Sequence, residues 1–158
     1  MTRNYAPYIW KIPDFQTVYD RAVTSEQKTI LSEPFYLSKN GYKLRIKMMP
    51  NGGCANPVAS KTLKAKFLSV YVKVIPGEYD SVLPWPFTEK LCITLIDQNI
   101  CQSERVNICK VIDFKVNEWP RPVEETDHGL GFGDFVHQSV LQTRSYLKNN
   151  TIFIMVSR

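Results

Sequence analysis

Four cysteines (Cys54, Cys92, Cys101, Cys109), two histidines (His128, His137) and the alternating glycines Gly129, Gly131 and Gly133 are the residues from which chemistry would be built. Structural zinc is held by thiolates and imidazoles in close pairs such as Cys-x2-Cys or His-x3-His. Here neighbouring cysteines sit eight or more residues apart, so no metal site is expected. A phosphate cradle needs Gly-x-Gly-x-x-Gly between a strand and a helix. Gly129-x-Gly131-x-Gly133 has neither that spacing nor that setting. A catalytic thiol needs a base to activate it; the two histidines leave a cysteine–histidine pair open, but nothing in the sequence marks a nucleophile. No catalytic residue, metal or cofactor is therefore predicted. The remaining chemical feature is cationic: Lys43, Arg45 and Lys47 alternate along one stretch, either as a solvated face or as a stripe for an acidic ligand. The net charge of +5 is scattered; it suits an acidic peptide partner and does not require nucleic acid.

The elements that must position these residues are mostly strands. Apolar residues at every second position mark a strand with one buried face. Tyr42, Leu44, Ile46 and Met48 follow this rule, with Lys43, Arg45 and Lys47 on the other face. Leu68, Val70, Val72 and Val74 do the same within residues 66–75, and Leu91, Ile93 and Leu95 within residues 91–96. Between the last two, Leu83-Pro-Trp-Pro-Phe87 cannot be helical, because proline fixes its own φ and holds its neighbour extended. This connector is expected to seal one end of a core. Tyr8, Trp10 and Ile12 share a face of an opening strand, and Thr29–Leu37 reads as an edge strand broken by Pro34. Asn40-Gly41 is a tight turn, and Asn51–Ser60 a loop.

Phe15–Gln27 is mixed and polar, with Ala22 and Val23 its clear apolar pair. Asn99–Lys110 reads as a long polar connection, Val111–Val116 as a weak strand and Val123–His128 as an acidic surface loop. Ser139–Lys148 is the one predicted helix, and Thr151–Val156 a fully buried closing strand. Seven to eight short strands with evenly spaced turns predict an all-β antiparallel sandwich with one short helix. At 158 residues the chain 1–158 is expected to form a single domain. No signal peptide and no apolar run of about 20 residues is present, so the cysteines are expected to be reduced thiols in the cytoplasm and the sequon Asn149-Asn150-Thr151 idle.

Gly77-Glu-Tyr-Asp80, Leu83-Pro-Trp-Pro-Phe87 and Leu95-Ile-Asp-Gln98 resemble matching segments of a TRAF-C (MATH) domain, the receptor-binding domain of the tumour-necrosis-factor receptor-associated factors. Tyr8–Ile12, Pro34-Phe-Tyr36, Gly41–Leu44, Arg121-Pro122, Gly131-Phe-Gly133 and Tyr146–Ile154 extend the likeness in collinear order. Within the family the subtype-six member looks most similar, then subtype four. The resemblance implies an eight-stranded sandwich that captures peptides from receptor or signalling-protein tails by adding them as a strand to a sheet edge. It also implies a homotrimer of the full-length protein, formed through a preceding coiled coil; that coiled coil and the RING and zinc-finger regions are absent from residues 1–158.

Carried over residue by residue, the resemblance puts Gly131, Phe132 and Gly133 on the peptide-pairing strand. Lys47 stands where the family has an arginine, and lacks its planar fork. Asn117 and Glu118 align with the segment whose amides receive a peptide glutamate, and Glu118 would repel that charge. The family's tyrosine does not follow Gly133; Asp134-Phe135 stand there. The leading expectation is a cytoplasmic adaptor module without enzymatic activity or membrane insertion. The alternatives are a MATH substrate-recognition module of a ubiquitin ligase or deubiquitinase with a different motif, and an enzyme or small-molecule sandwich.

Overall fold

The computed structural model describes residues 6–53 and 66–158. Cys54 and most of the loop expected at 51–60 lie outside them. Among the described residues nine antiparallel strands form two sheets packed face to face, with one α-helix. The first sheet runs β1 (Tyr8–Ile12), β9 (Ile152–Ser157), β6 (Lys90–Leu95), β7 (Ile108–Asp113). The second runs β2 (Ile30–Leu31), β4 (Lys43–Gly52), β5 (Phe67–Ile75), β8 (Leu130–His137), and β3 (Phe35–Tyr36) also pairs with β4. The stretch expected as one strand broken at Pro34 is thus two short strands, β2 and β3, on the same neighbour.

The period-two pattern is obeyed where it was clearest. Along β4, Leu44, Ile46 and Met48 are buried while the lysines and Arg45 face outward. Leu68, Val70 and Val72 of β5 and Leu91, Ile93 and Leu95 of β6 have no exposed surface. β9 alternates as well: Ile152, Ile154 and Val156 are buried, but Phe153 and Met155 are only half-buried. It is therefore a one-sided strand, not the fully buried one its composition suggested. The Pro-Trp-Pro connector closes the sandwich end as expected. Phe87 is buried, and its ring contacts Tyr42 at 4.7 Å and Phe114 at 4.8 Å between centroids. Trp85 anchors the connector by donating its indole N–H to the Asp80 carbonyl at 2.8 Å.

Three expectations are corrected. The helix is α1 (Phe15–Val23), not residues 139–148. Phe15, Val18, Tyr19 and Ala22 stand at helical spacing, and all four lie against or within the core. Its first amides are capped from far along the chain: Asn150 accepts from Phe15 N–H through its carbonyl and from Gln16 N–H through Oδ1, both at 2.9 Å. Residues 138–142 make only a 3₁₀ turn. Beyond it Arg144 and Asn149 take positive φ, and the Tyr146 carbonyl accepts from the Gln98 side chain instead of a helical amide. Finally, β7 begins at Ile108, inside the expected connection. The loop before it is organised by buried Asp97, which accepts from Asn99 N–H at 3.1 Å and Val106 N–H at 3.0 Å. Hydrogen bonding to one carboxylate leaves no apolar period to read.

Candidate functional site

β8 is the outer strand of its sheet, and among the described residues nothing pairs with its far side. Such an edge offers unpaired amides and carbonyls to an incoming strand. Register decides what each predicted site residue does there. Phe132 lies opposite Val70, whose side chain is fully buried, so Phe132 points toward the mouth between the sheets and is half-buried. Gly131 lies opposite Tyr71, which lies opposite Lys47, so these three form a row across the outer face. A Cβ on Gly131 would stand 2.2 Å from the Val70 carbonyl oxygen; its missing side chain is required by the neighbouring strand. Gly133 is less confined, its nearest atom being the Tyr71 hydroxyl at 3.2 Å. After Phe132 the strand bulges: Gly133, Asp134 and Phe135 together oppose Ser69, whose hydroxyl donates to the Gly133 carbonyl at 2.6 Å.

β7 is the edge strand of the other sheet on the same side of the sandwich, and Lys110 projects from it across the mouth. Its Nζ donates to the Asp134 carbonyl at 3.1 Å and lies 5.5 Å from the Phe132 ring centre and 5.8 Å from that of Phe135. Sequence reasoning placed Lys110 in a connection. The signal was present: Ile108, Lys110 and Ile112 alternate at period two.

Lys47 and the pair Asn117-Glu118 do not join this mouth. Lys47 Nζ donates to the Asp127 carbonyl at 2.9 Å and sits 5.8 Å from the Tyr71 ring centre. Glu118 lines a separate recess of about 440 Å3 with Trp85, Pro86, Pro120 and Arg121. Asn117 is exposed in the turn after β7. The adjoining Trp119 stacks on His128 at 4.9 Å, which ties this segment to the residues leading into β8.

The outward row of β4 is also not simply solvated. Arg45 Nη1 donates to both Glu125 carboxylate oxygens, at 3.2 and 3.1 Å, and Lys73 Nζ donates to Oε2 at 2.9 Å. Burial alone would raise the Glu125 pKa. The hydrogen bond and charge of Lys73, joined by Arg45, outweigh it and hold the carboxyl below its ordinary value. Among the described residues Cys92, Cys101 and Cys109 are free thiols, and no three His, Cys, Asp or Glu side chains are grouped to hold a metal. Among the described residues no helix is long and apolar enough to cross a membrane.

The chain is similar to TNF receptor-associated factor 5 of Mus musculus, 32% identical over 151 residues, a match covering 94% of this chain and 26% of that protein. To TNF receptor-associated factor 6 of Bos taurus it is 31% identical over 155 residues, covering 93% of this chain and 26% of that protein. These two identities do not single out the subtype-six member. The chain therefore spans about a quarter of the length of these relatives. Among solved structures, Notothenia coriiceps TRAF5 superposes with a TM-score of 0.82 at 27% identity, covering 98% of this chain and 73% of that one. The TRAF/meprin MATH domain model matches residues 27–155, and with that match the chain belongs to the TRAF/meprin MATH domain family.

Proposed function

We propose that this chain is the ligand-capturing module of a cytoplasmic signalling adaptor, taking short linear peptides from receptor or signalling-protein tails as an added strand along β8. The observation that carries this reading is the far side of β8, unpaired among the described residues, beside the half-buried Phe132 at the mouth between the sheets. Main-chain pairing supplies affinity at such an edge, and the neighbouring side chains supply selection. The module itself binds and does no chemistry. The full-length protein trimerises through a coiled coil outside this chain, which multiplies weak single contacts into avid ones.

The departures at Lys47 and after Gly133 weaken the family's side-chain pockets while leaving backbone pairing intact. A Pro-x-Glu-x-x-aromatic peptide should therefore bind the isolated chain with a dissociation constant of hundreds of micromolar, on the order of −5 kcal/mol. Panning a peptide library against the chain, then mapping a bound peptide by amide chemical shifts, tests the reading. Shifts should concentrate at residues 130–134. Shifts confined to other strands would refute addition at β8.

A further inference from the structure

Residues 123–128 cross the outer face of the five-stranded sheet without regular structure. Among the described residues, no backbone–backbone hydrogen bond involves residues 120–128. The segment is instead held by three contacts: Glu125 on Arg45 and Lys73, the Asp127 carbonyl on Lys47, and His128 on Trp119. Two of the three are grips by cations of the sheet.

Arg45 and Lys73 stand directly opposite each other on β4 and β5. Like charges so placed repel, and the Lys73 side chain is only 3% exposed. A buried ammonium without a counter-charge is costly, so this sheet is built around an anion. The chain supplies one from an exposed segment that makes no backbone–backbone hydrogen bond among the described residues, the kind of segment that opens locally at low cost. Lifting it would remove the carboxylate from Arg45 and Lys73 and the Asp127 carbonyl from Lys47, while Arg45 Nε would still donate to the Ser32 carbonyl, at 2.6 Å in the folded chain. The displaced sequence Glu124-Glu125-Thr126-Asp127 shows what class of ligand the face accepts.

We propose that Arg45, Lys73 and Lys47 form a carboxylate-binding face that the chain's own residues 123–128 occupy and that an acidic segment of a partner protein takes by displacing them. The depth of Lys73 suits a carboxylate on a flexible stem better than a phosphodiester backbone, which binds exposed cations along a surface. The face adjoins the edge of β8 through Lys47, which stands in one row with Tyr71 and Gly131, but its core is the Arg45–Lys73 pair, and the proposal uses none of that strand's free amides. Its test reads residues 123–128, so the proposal stands or falls separately from strand addition.

The probe is a labelled peptide copying residues 122–128, titrated against the wild-type chain and Glu125→Gln at low salt. The variant vacates the seat, so the peptide should bind it at least tenfold more tightly than wild type. Replacing the peptide's two glutamates by glutamine should abolish that gain, as should adding Lys73→Met to the variant. Should Glu125→Gln fail to fold with Lys73 unpaired, amide chemical shifts of the wild-type chain decide. Saturating peptide should move the shifts of residues 123–128 toward random-coil values and leave those of β8 unchanged. Equal affinity for wild type and variant, retained binding by the glutamine peptide, or unchanged shifts at 123–128 would each overturn the proposal. So would tighter binding of a single-stranded oligonucleotide than of the peptide.

Discussion

Lys110 Nζ lies 5.5 Å from the centre of the Phe132 ring and donates to the Asp134 carbonyl two residues further on. One amine from β7 thus clips the exposed edge of β8 and lies over the aromatic ring at its mouth. A cation over an aromatic face is attracted by the ring quadrupole, more so as water is excluded. The mouth is therefore part apolar and part cationic, and its two halves come from different sheets.

If that mouth receives the peptide, Phe132→Ala should weaken capture by about 1–2 kcal/mol, as for a contacting aromatic at a protein interface. Lys110→Met keeps the stem and removes the charge, and should weaken binding of acidic peptides selectively. Calorimetry with both variants measures this. Unchanged affinity in both would move the site away from β8.

The two edge glycines should respond differently to a single methyl group. Gly131→Ala drives a Cβ to 2.2 Å from the Val70 carbonyl oxygen, a backbone atom with nowhere to go. Overpacking of this kind costs about 1–3 kcal/mol, so its urea midpoint should fall clearly. Gly133→Ala meets the Tyr71 hydroxyl at 3.2 Å, a side-chain end able to shift, and should leave the midpoint near wild type. Equal losses in both would contradict the register.

Acid should release the segment that Glu125 holds. The Glu125 pKa is depressed in the folded chain by Lys73 and Arg45 against the opposing effect of burial. Its stabilising contribution is therefore complete above the unfolded value, ordinarily 4.5, and disappears as pH falls through the lower folded value. Urea denaturation of wild type and Glu125→Gln should differ at neutral pH and converge in that acidic window. A difference that persists below it would show that the ion pairs contribute nothing.

Asp97 should be intolerant of its nearest isostere. Its side chain is buried and accepts main-chain N–H groups from Val106 and Asn99, and these hydrogen bonds outweigh burial in lowering its pKa. Asp97→Asn turns an amide toward one of those donors and leaves it unsatisfied. The thermal midpoint should drop, and amides 99–107 should lose exchange protection first. An unchanged melt would mean the loop is held by other contacts.

The sandwich was legible because four strands advertise it: β1, β4, β5 and β6 each alternate cleanly, and the Pro-Trp-Pro connector closes the end it was expected to close. α1 was missed: Phe15, Val18, Tyr19 and Ala22 carry helical spacing within a mostly polar stretch, its capping residue is Asn150, and no local signal announces a cap from the other end of the chain. The loop around Asp97 was opaque because polar contacts, not apolar periodicity, shape it. At the site, the family resemblance, not any period in the residues, placed Gly131, Phe132 and Gly133 on one strand, and it could not tell that Phe132 faces the mouth while Gly131 faces outward. That depends on the register against β5. The ion pairs of Glu125 were invisible for a similar reason: fifty-two residues separate Lys73 from the carboxylate it meets.

The bulge opposite Ser69 acts as a ruler. Only Leu130, Gly131 and Phe132 run straight against Val72, Tyr71 and Val70 before the strand buckles. Three residues span about 10 Å of extended chain. Fibre-forming strands stack in flat segments of about six or seven residues, twice what this edge presents before it turns aside. If a peptide adds here as proposed, the straight part of the edge is long enough to pair with a short motif and too short to template a copy of itself. One local kink would then keep a surface open to a ligand while closing it to runaway polymerisation.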